Sequence, residues 1–219
     1  MGQWIALQSP SGEISAWRAD PLGPPLGALV VVQEIFGVNG HIRSVVDRFA
    51  QSGYSAIAPA LFDHFEPRLE LGYDKDGVDA GRELVGRLGF ERAVEDVDAA
   101  ARLLNAPYRT GVVGFCWGGT VAFLANTRLG LPAVSYYGGR TVPFLQQKTH
   151  APLMLHFGES DPIIPPADVQ RHHEALPAAE IHVWPAGHGF NCDERGDYNA
   201  TVAIKAMQCT LAFLAAHLR

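Results

Sequence analysis

The chain has 219 residues, 47% of them hydrophobic and 18% charged, with a formal charge of −6 at pH 7. That length suits a single domain over residues 1–219 with a sizeable core, and the composition excludes a disordered chain. An acidic balance argues against nucleic acid or an anionic membrane surface as partner, and three cysteines (Cys116, Cys192, Cys209) make neither a disulfide framework nor a metal-ligand spacing.

The opening residues lack a basic segment followed by an apolar core, so no signal peptide is expected, and no apolar stretch approaches membrane-spanning length. A reducing cytoplasm is the expected home for free thiols. Residues 3–8 and 13–18 pattern as an antiparallel hairpin around Ser9-Pro-Ser-Gly12. A Pro/Gly-rich connector, 21–25, leads into the almost wholly apolar run 27–34, the pattern of a central strand buried on both faces. Asn39 is placed to cap a helix over 40–52, whose Ile42, Val45, Val46 and Phe49 recur at helical spacing. Gly53 ends that helix and 54–58 forms the next strand. Residues 62–76 read as a long irregular polar stretch. An amphipathic helix is expected over 91–105, with Val94, Val97, Ala101 and Leu104 inward. Strands follow at 111–115, 133–137, 152–157 and 181–184, and helices at 120–127, 168–176 and 200–218. Strands alternating with helices imply an α/β fold, a mostly parallel sheet with helices on both faces. No repeat, low-complexity tract or inserted lid domain is visible.

Between the strand at 111–115 and the following helix stands Gly114-Phe-Cys116-Trp-Gly118, the G-x-S-x-G nucleophile elbow with cysteine in place of serine. A sharp strand-to-helix reversal strains the central residue and leaves no room for flanking side chains, which accounts for both glycines. Cys116 would then sit at a helix N-terminus, where the partial positive charge favours an anion. A buried structural cysteine is the plainer alternative.

In the α/β-hydrolase architecture that uses this elbow, the acid and the histidine follow the nucleophile in chain order. Asp161 lies just past the strand at 152–157, and His188, between two glycines, just past the strand at 181–184. All three fall at strand carboxyl ends, the edge where open α/β sheets bind ligands. Glu159 competes with Asp161, and each residue alone could be an ordinary loop position. Glu34 ends the most apolar strand, and a carboxylate is costly to bury unpaired, so it is solvent-facing or held by a partner. The Ile35 and Trp117 amides occupy the oxyanion-hole positions of this architecture. His172-His173 read as a solvated helix face, and Asp193, Glu194 and Asp197 as compensation for the dipole of the closing helix rather than a cation site.

Four blocks, Gln33-Glu-Ile-Phe-Gly-Val-Asn39, Gly114-Phe-Cys-Trp-Gly-Gly119, Gly158-Glu-Ser-Asp-Pro162 and Ala186-Gly-His-Gly-Phe190, resemble in register the dienelactone hydrolase family of α/β-hydrolases. The resemblance spans nearly the whole chain. It implies a Cys116–Asp161–His188 triad and makes Glu34 the additional carboxylate that partners the resting thiol. It implies hydrolysis of a small ester or lactone through a cysteine acyl-enzyme, with no cofactor and no metal. Family members acting on dienelactones hold the substrate carboxylate with arginines. One of these positions is Cys192 in this chain, and the other falls in the region of Arg82 and Arg87, so another small ester, lactone or thioester becomes plausible. Phe36, Arg82, Tyr137 and Arg140 are expected at the substrate, with Arg195 a further substitute cation. A catalytically silent ligand-binding protein and a redox thiol protein are the alternatives from other classes. A monomer or small homo-oligomer is expected.

Overall fold

The computed structural model describes residues 1–104 and 110–218. Eight strands form one sheet: β1 (Gln3–Ser9), β2 (Gly12–Ala19), β3 (Gly27–Val32), β4 (Tyr54–Pro59), β5 (Thr110–Phe115), β6 (Ala133–Tyr136), β7 (Leu153–Gly158) and β8 (Glu180–Trp184). Their order is β1-β2-β4-β3-β5-β6-β7-β8. Only the β1–β2 and β2–β4 pairings are antiparallel. Every residue of β3 is buried, as its unbroken apolar run requires of a central parallel strand. Gln33 and Glu34 lie just past its end and are also buried.

Among the described residues five α-helices accompany the sheet, α1 (Gly40–Gln51), α2 (Lys75–Leu104), α3 (Trp117–Leu129), α4 (Pro166–Ala175) and α5 (Ala200–His217), with short 3-10 turns at Leu61–His64 and Val142–Phe144. The Asn39 side chain accepts from the Ile42 amide at 3.2 Å and so caps α1 as the sequence suggests. Helix α3 is buried at every residue from Trp117 to Thr127, which explains the absence of a polar stripe in its sequence.

Several elements depart from the sequence pattern. Helix α2 begins sixteen residues before Glu91 and is broken at Gly89, where φ is 73° and ψ 168°. Four glycines between residues 77 and 89 hid its first half, because glycine opposes helix formation unless packing demands it. Packing does demand it: a Cβ on Gly81 would lie 2.2 Å from the Ile35 carbonyl oxygen, and one on Gly77 2.0 Å from that of Gly72. In the second half Ala100 is fully buried and Ala101 only half-buried, while Asn105 lies outside the described residues. His172 is not solvated: it is 1% exposed, with Nδ1 donating to the Asp168 carbonyl at 2.7 Å and its ring edge on Phe157. The acidic residues at 193–197 do not enter the first turn of α5, which Asn199 caps instead. Helix α5 is also, by length and composition alone, apolar enough to cross a membrane, contrary to the sequence reading. Here it packs against β7.

Beneath α5 the sheet carries a buried polar chain. The Trp184 indole N–H donates to Nδ1 of His156 at 3.1 Å, and Nε2 of His156 meets the Thr210 hydroxyl at 3.1 Å. Thr210 also meets the Tyr136 hydroxyl at 2.6 Å. A nitrogen accepting from an indole carries no proton, so this geometry requires neutral His156. Burial and the stacked His182 ring push its pKa down to about 3. The folded value lies below the unfolded one of roughly 6.5, so stability is full above pH 6.5 and is lost as pH falls towards 3. Urea denaturation between those limits should show a shallower loss for His156→Gln than for the wild type. Identical slopes would remove His156 from the acid sensitivity.

Candidate active site

The elbow lies between β5 and α3. Cys116 has φ 53° and ψ −119°, a conformation that L-residues rarely adopt, and its amide donates to the Tyr136 carbonyl at 2.9 Å. No side chain fits on either flank. A Cβ on Gly114 would lie 1.9 Å from the Gly118 oxygen, and one on Gly118 would lie 2.3 Å from the Gln33 oxygen. The ends of β3, β5 and β6 are thus in backbone contact around one residue.

Asp161 and His188 come to the same edge from the loops after β7 and β8. His188 Nδ1 is 2.7 Å from Asp161 Oδ2, and His188 Nε2 is 3.2 Å from Cys116 Sγ. The other carboxylate oxygen of Asp161 accepts from the Ile163 and Ile164 amides at 2.8 and 3.2 Å, which fixes the acid. Burial would lower the His188 pKa, but hydrogen bonds to Asp161 and Cys116 with their Coulomb fields outweigh it and raise it to about 10. Glu159, the competing acid, is exposed. Neither the Ile35 nor the Trp117 amide has a hydrogen-bond acceptor among the described residues. For Trp117 that follows from its place at the start of α3.

Glu34 is 1% exposed and is held by a partner the sequence did not single out for it. Its Oε1 lies 3.2 Å from Arg195 Nη1 and its Oε2 accepts from the Tyr73 hydroxyl at 3.4 Å. The Cys116 thiol meets His188, and no Glu34–Cys116 hydrogen bond occurs among the described residues, so the expected resting contact is replaced by an ion pair. Tyr73 is the centre of a wider network: it also receives hydrogen bonds from Asn39 Nδ2 at 2.9 Å and Cys192 Sγ at 3.2 Å. Burial and the Glu34 charge push the Cys192 thiol up to about 12. His41, Cys192 and Asp193 place ligand atoms within 4.8 Å of one another. A thiol held protonated, beside a His41–Asp193 hydrogen bond of 3.1 Å, forms a polar network and not a ready cation site.

A cavity of about 230 Å³ meets these groups, lined among others by Phe36, Arg82, Cys116, Arg140, His188 and Arg195. Larger hollows elsewhere, such as that of about 590 Å³ beside Lys148, contain no such constellation. Phe36, Arg82 and Arg140, three of the four residues expected at the substrate, line this cavity. Tyr137 does not: it is fully buried, with its ring edge-to-face against His188 (ring centroids 5.1 Å apart) and its hydroxyl without a hydrogen bond among the described residues. Its φ is positive, 42°, and its ring packs on His188 and Phe190 and does not join the cavity lining. Val78, Gly139 and Ile163 also line the cavity, and nothing in their local sequence marked them.

The Glu34–Arg195 pair is buried on one side and only 18% exposed on the other, so removing one partner strands a charge. Arg195→Met should lower stability by about 3 kcal/mol in urea titration, at the low end for a broken buried pair because Tyr73 stays bonded to Glu34. Glu34→Gln combined with Arg195→Met should recover part of that loss. An unchanged midpoint for Arg195→Met would show the pair to be energetically idle.

Comparison with known proteins places this geometry. A model of the dienelactone hydrolase family matches residues 14–218. A Synechocystis sp. protein named "Putative carboxymethylenebutenolidase" is 33% identical over 226 residues, covering 93% of this chain and 92% of its own. The carboxymethylenebutenolidase of Pseudomonas putida is 32% identical over 224 residues, covering 96% of this chain and 95% of its own. The crystal structure of a Klebsiella pneumoniae protein named "Putative Dienelactone Hydrolase" superposes with a TM-score of 0.89 at 31% identity, covering 99% of both chains. With its mostly parallel eight-stranded sheet, the chain is an α/β-hydrolase and belongs to the dienelactone hydrolase family.

Proposed function

We propose that this hydrolase cleaves a small, negatively charged ester or lactone by acyl transfer through Cys116. The observation that carries the reading is the continuous chain Asp161–His188–Cys116, at 2.7 and 3.2 Å, facing the 230 Å³ cavity. Asp161 holds the imidazole with Nε2 toward sulfur. The raised His188 pKa keeps the proton taken from the thiol on nitrogen across the neutral range. The sulfur attacks the carbonyl carbon, and the developing oxyanion is held by the Ile35 and Trp117 amides. His188 returns its proton to the leaving alkoxide as the C–O bond breaks. It then takes a proton from water, whose oxygen attacks the thioester carbonyl, releasing the carboxylic acid and the thiol.

The size and charge of the cavity support the substrate class. Its volume is below that of a typical drug-sized pocket, which fits a small acyl group. Arg82 and Arg140 reach it without a carboxylate within 4.0 Å among the described residues, whereas Arg195 is paired with Glu34. Two unpaired guanidiniums favour a substrate carboxylate, as the carboxymethylenebutenolidase name of the Pseudomonas relative also suggests. Phe36 and Trp117 supply apolar wall. Glu34 serves as a positioning residue, holding Arg195 at the rim.

Two measurements test this. Cys116→Ala should abolish turnover of any lactone or ester that the wild type cleaves while changing stability by about 1 kcal/mol or less. Retention of more than a few per cent of activity would remove Cys116 as nucleophile, and trapping of an acylated Cys116 by mass spectrometry would separate a hydrolase from a redox thiol. Arg82→Gln and Arg140→Gln should raise KM about tenfold or more for a carboxylate-bearing lactone, the loss of about one charge-assisted hydrogen bond. KM for the matching neutral ester should stay constant. Equal effects on both substrates would exclude a charge-reading role for these arginines.

A further inference from the structure

The large apolar side chains that the fold leaves uncovered are not scattered evenly. Leu22, Leu26, Tyr198 and Ile204 gather around the C-terminal end of α1, at 110%, 54%, 41% and 59% exposure. They border two hollows. One, of about 630 Å³, lies between α1 and the connector from β2 to β3, with Leu22 and Leu26 in its lining. The other, of about 350 Å³, lies between α1 and the start of α5, lined among others by Tyr198, Ile204 and Met207. Gln51 lines both and forms the ridge between them. Neither hollow shares a residue with the cavity at Cys116.

Both sides of the ridge are built to project. Residues 21–25 read Pro-Leu-Gly-Pro-Pro, and each proline fixes its own φ, so a stiff connector carries Leu22. The Leu26 amide donates to the Gly53 carbonyl at 2.8 Å, which ties the connector to the end of α1. Across the ridge, α5 is apolar enough to cross a membrane, yet only 33% of it is buried. Its apolar content thus exceeds what this chain covers. Contiguous exposed apolar surface marks a docking face. Projecting side chains beside hollows on one face are what a two-fold interface needs, because each copy must supply both knob and hole.

Charge selects the occupant. Asp20 and Asp47 line the hollow beside Leu22. Asp20 is paired with Arg18, whereas Asp47 meets no cation within 4.0 Å among the described residues and accepts only from the Gly2 amide and the Trp17 indole. Lys205, next to Ile204 on α5, is exposed and likewise has no ion-pair partner among the described residues. An anionic lipid surface would be repelled by the two carboxylates. A second copy, turned about Gln51, brings its Lys205 towards Asp47 instead. We propose that this face is a two-fold dimer interface, with Leu22 of one copy seated in the α1–α5 hollow of the other and Gln51 near the axis. The assignment is independent of the reaction proposed for Cys116.

Sedimentation velocity of the full chain across micromolar concentrations tests the inference. The wild type should form a reversible dimer of the 23.7 kDa chain. Leu22→Asp and Ile204→Asp should each raise its dissociation constant by about 30-fold or more, the scale of an interface anchor. Lys205→Glu should weaken it less, and most clearly at low salt. Val183→Asp, on the exposed edge strand β8, should leave the dimer intact. A monomer at every concentration overturns the proposal, as does a dimer indifferent to both Leu22→Asp and Ile204→Asp. Loss of the dimer in Val183→Asp alone would move the interface to the sheet edge. If an aspartate variant does not fold, Leu22→Cys and Ile204→Cys chains are mixed and oxidised, and the cross-links are mapped by mass spectrometry. A disulfide joining the two different variants supports the register. Links of each variant only to itself, or none between these positions, overturn it.

Discussion

The backbone at Cys116 is the constraint on which the site depends. A non-glycine residue at φ 53° costs of order 1–3 kcal/mol and persists only where its surroundings over-determine it. Here they do. The Cys116 amide is tied to Tyr136, Gly114 and Gly118 touch backbone to backbone, and Gly118 rests against the carbonyls of Val32 and Gln33. Three neighbouring parallel strands converge on that turn, so the thiol is aimed by the sheet rather than by a mobile loop. The same crowding presses α2 onto the β3 loop through Gly81, which fixes Ile35. One strained residue and the glycines around it therefore set the positions of the sulfur and of both free amides.

The loops above this scaffold are held by buried charge. Asp161 spends one oxygen on His188 and the other on two amides, so the acid is committed in all its directions. Glu34 is committed in the same way, to Arg195 and Tyr73, and Tyr73 links onward to Asn39, the cap of α1, and to Cys192. Charge pairs taken out of water seldom add much net stability, but they penalise any arrangement that strands one partner. The consequence is geometric precision: loops after β3, β7 and β8 share one polar network whose members cannot shift singly. Arg82 and Arg140 stand outside these pairs, with no carboxylate within 4.0 Å among the described residues.

This division explains what was legible from the residues alone. Alternating apolar runs and helical spacing located the sheet strands and most of the helices, because those patterns are set by burial periodicity within one element. The elbow could be read because its requirement for two glycines is local, and its partners because chain order follows from the architecture. The first half of α2 escaped, since its glycines are justified only by the Ile35 and Gly72 backbones that it touches. His172 looked solvated beside His173 because nothing nearby in sequence announces the Phe157 ring that covers it.

Side-chain partnership was decided by the tertiary structure. A carboxylate at the end of β3 demanded a partner, and the sequence could state that demand without naming Arg195, which arrives from 161 residues away. Tyr137 stood in the right stretch for a substrate contact, yet the turn after β6 points it beneath His188. The strand order that places β3 beside β5, and so Glu34 and Cys116 at one edge, likewise has no local signature. By itself the sequence determined at which strand ends Glu34, Cys116, Asp161 and His188 stand, since backbone sterics and burial act over a few residues. Only the folded chain decided which charge answers which, because hydrogen bonds and ion pairs depend on distances that chain separation does not encode.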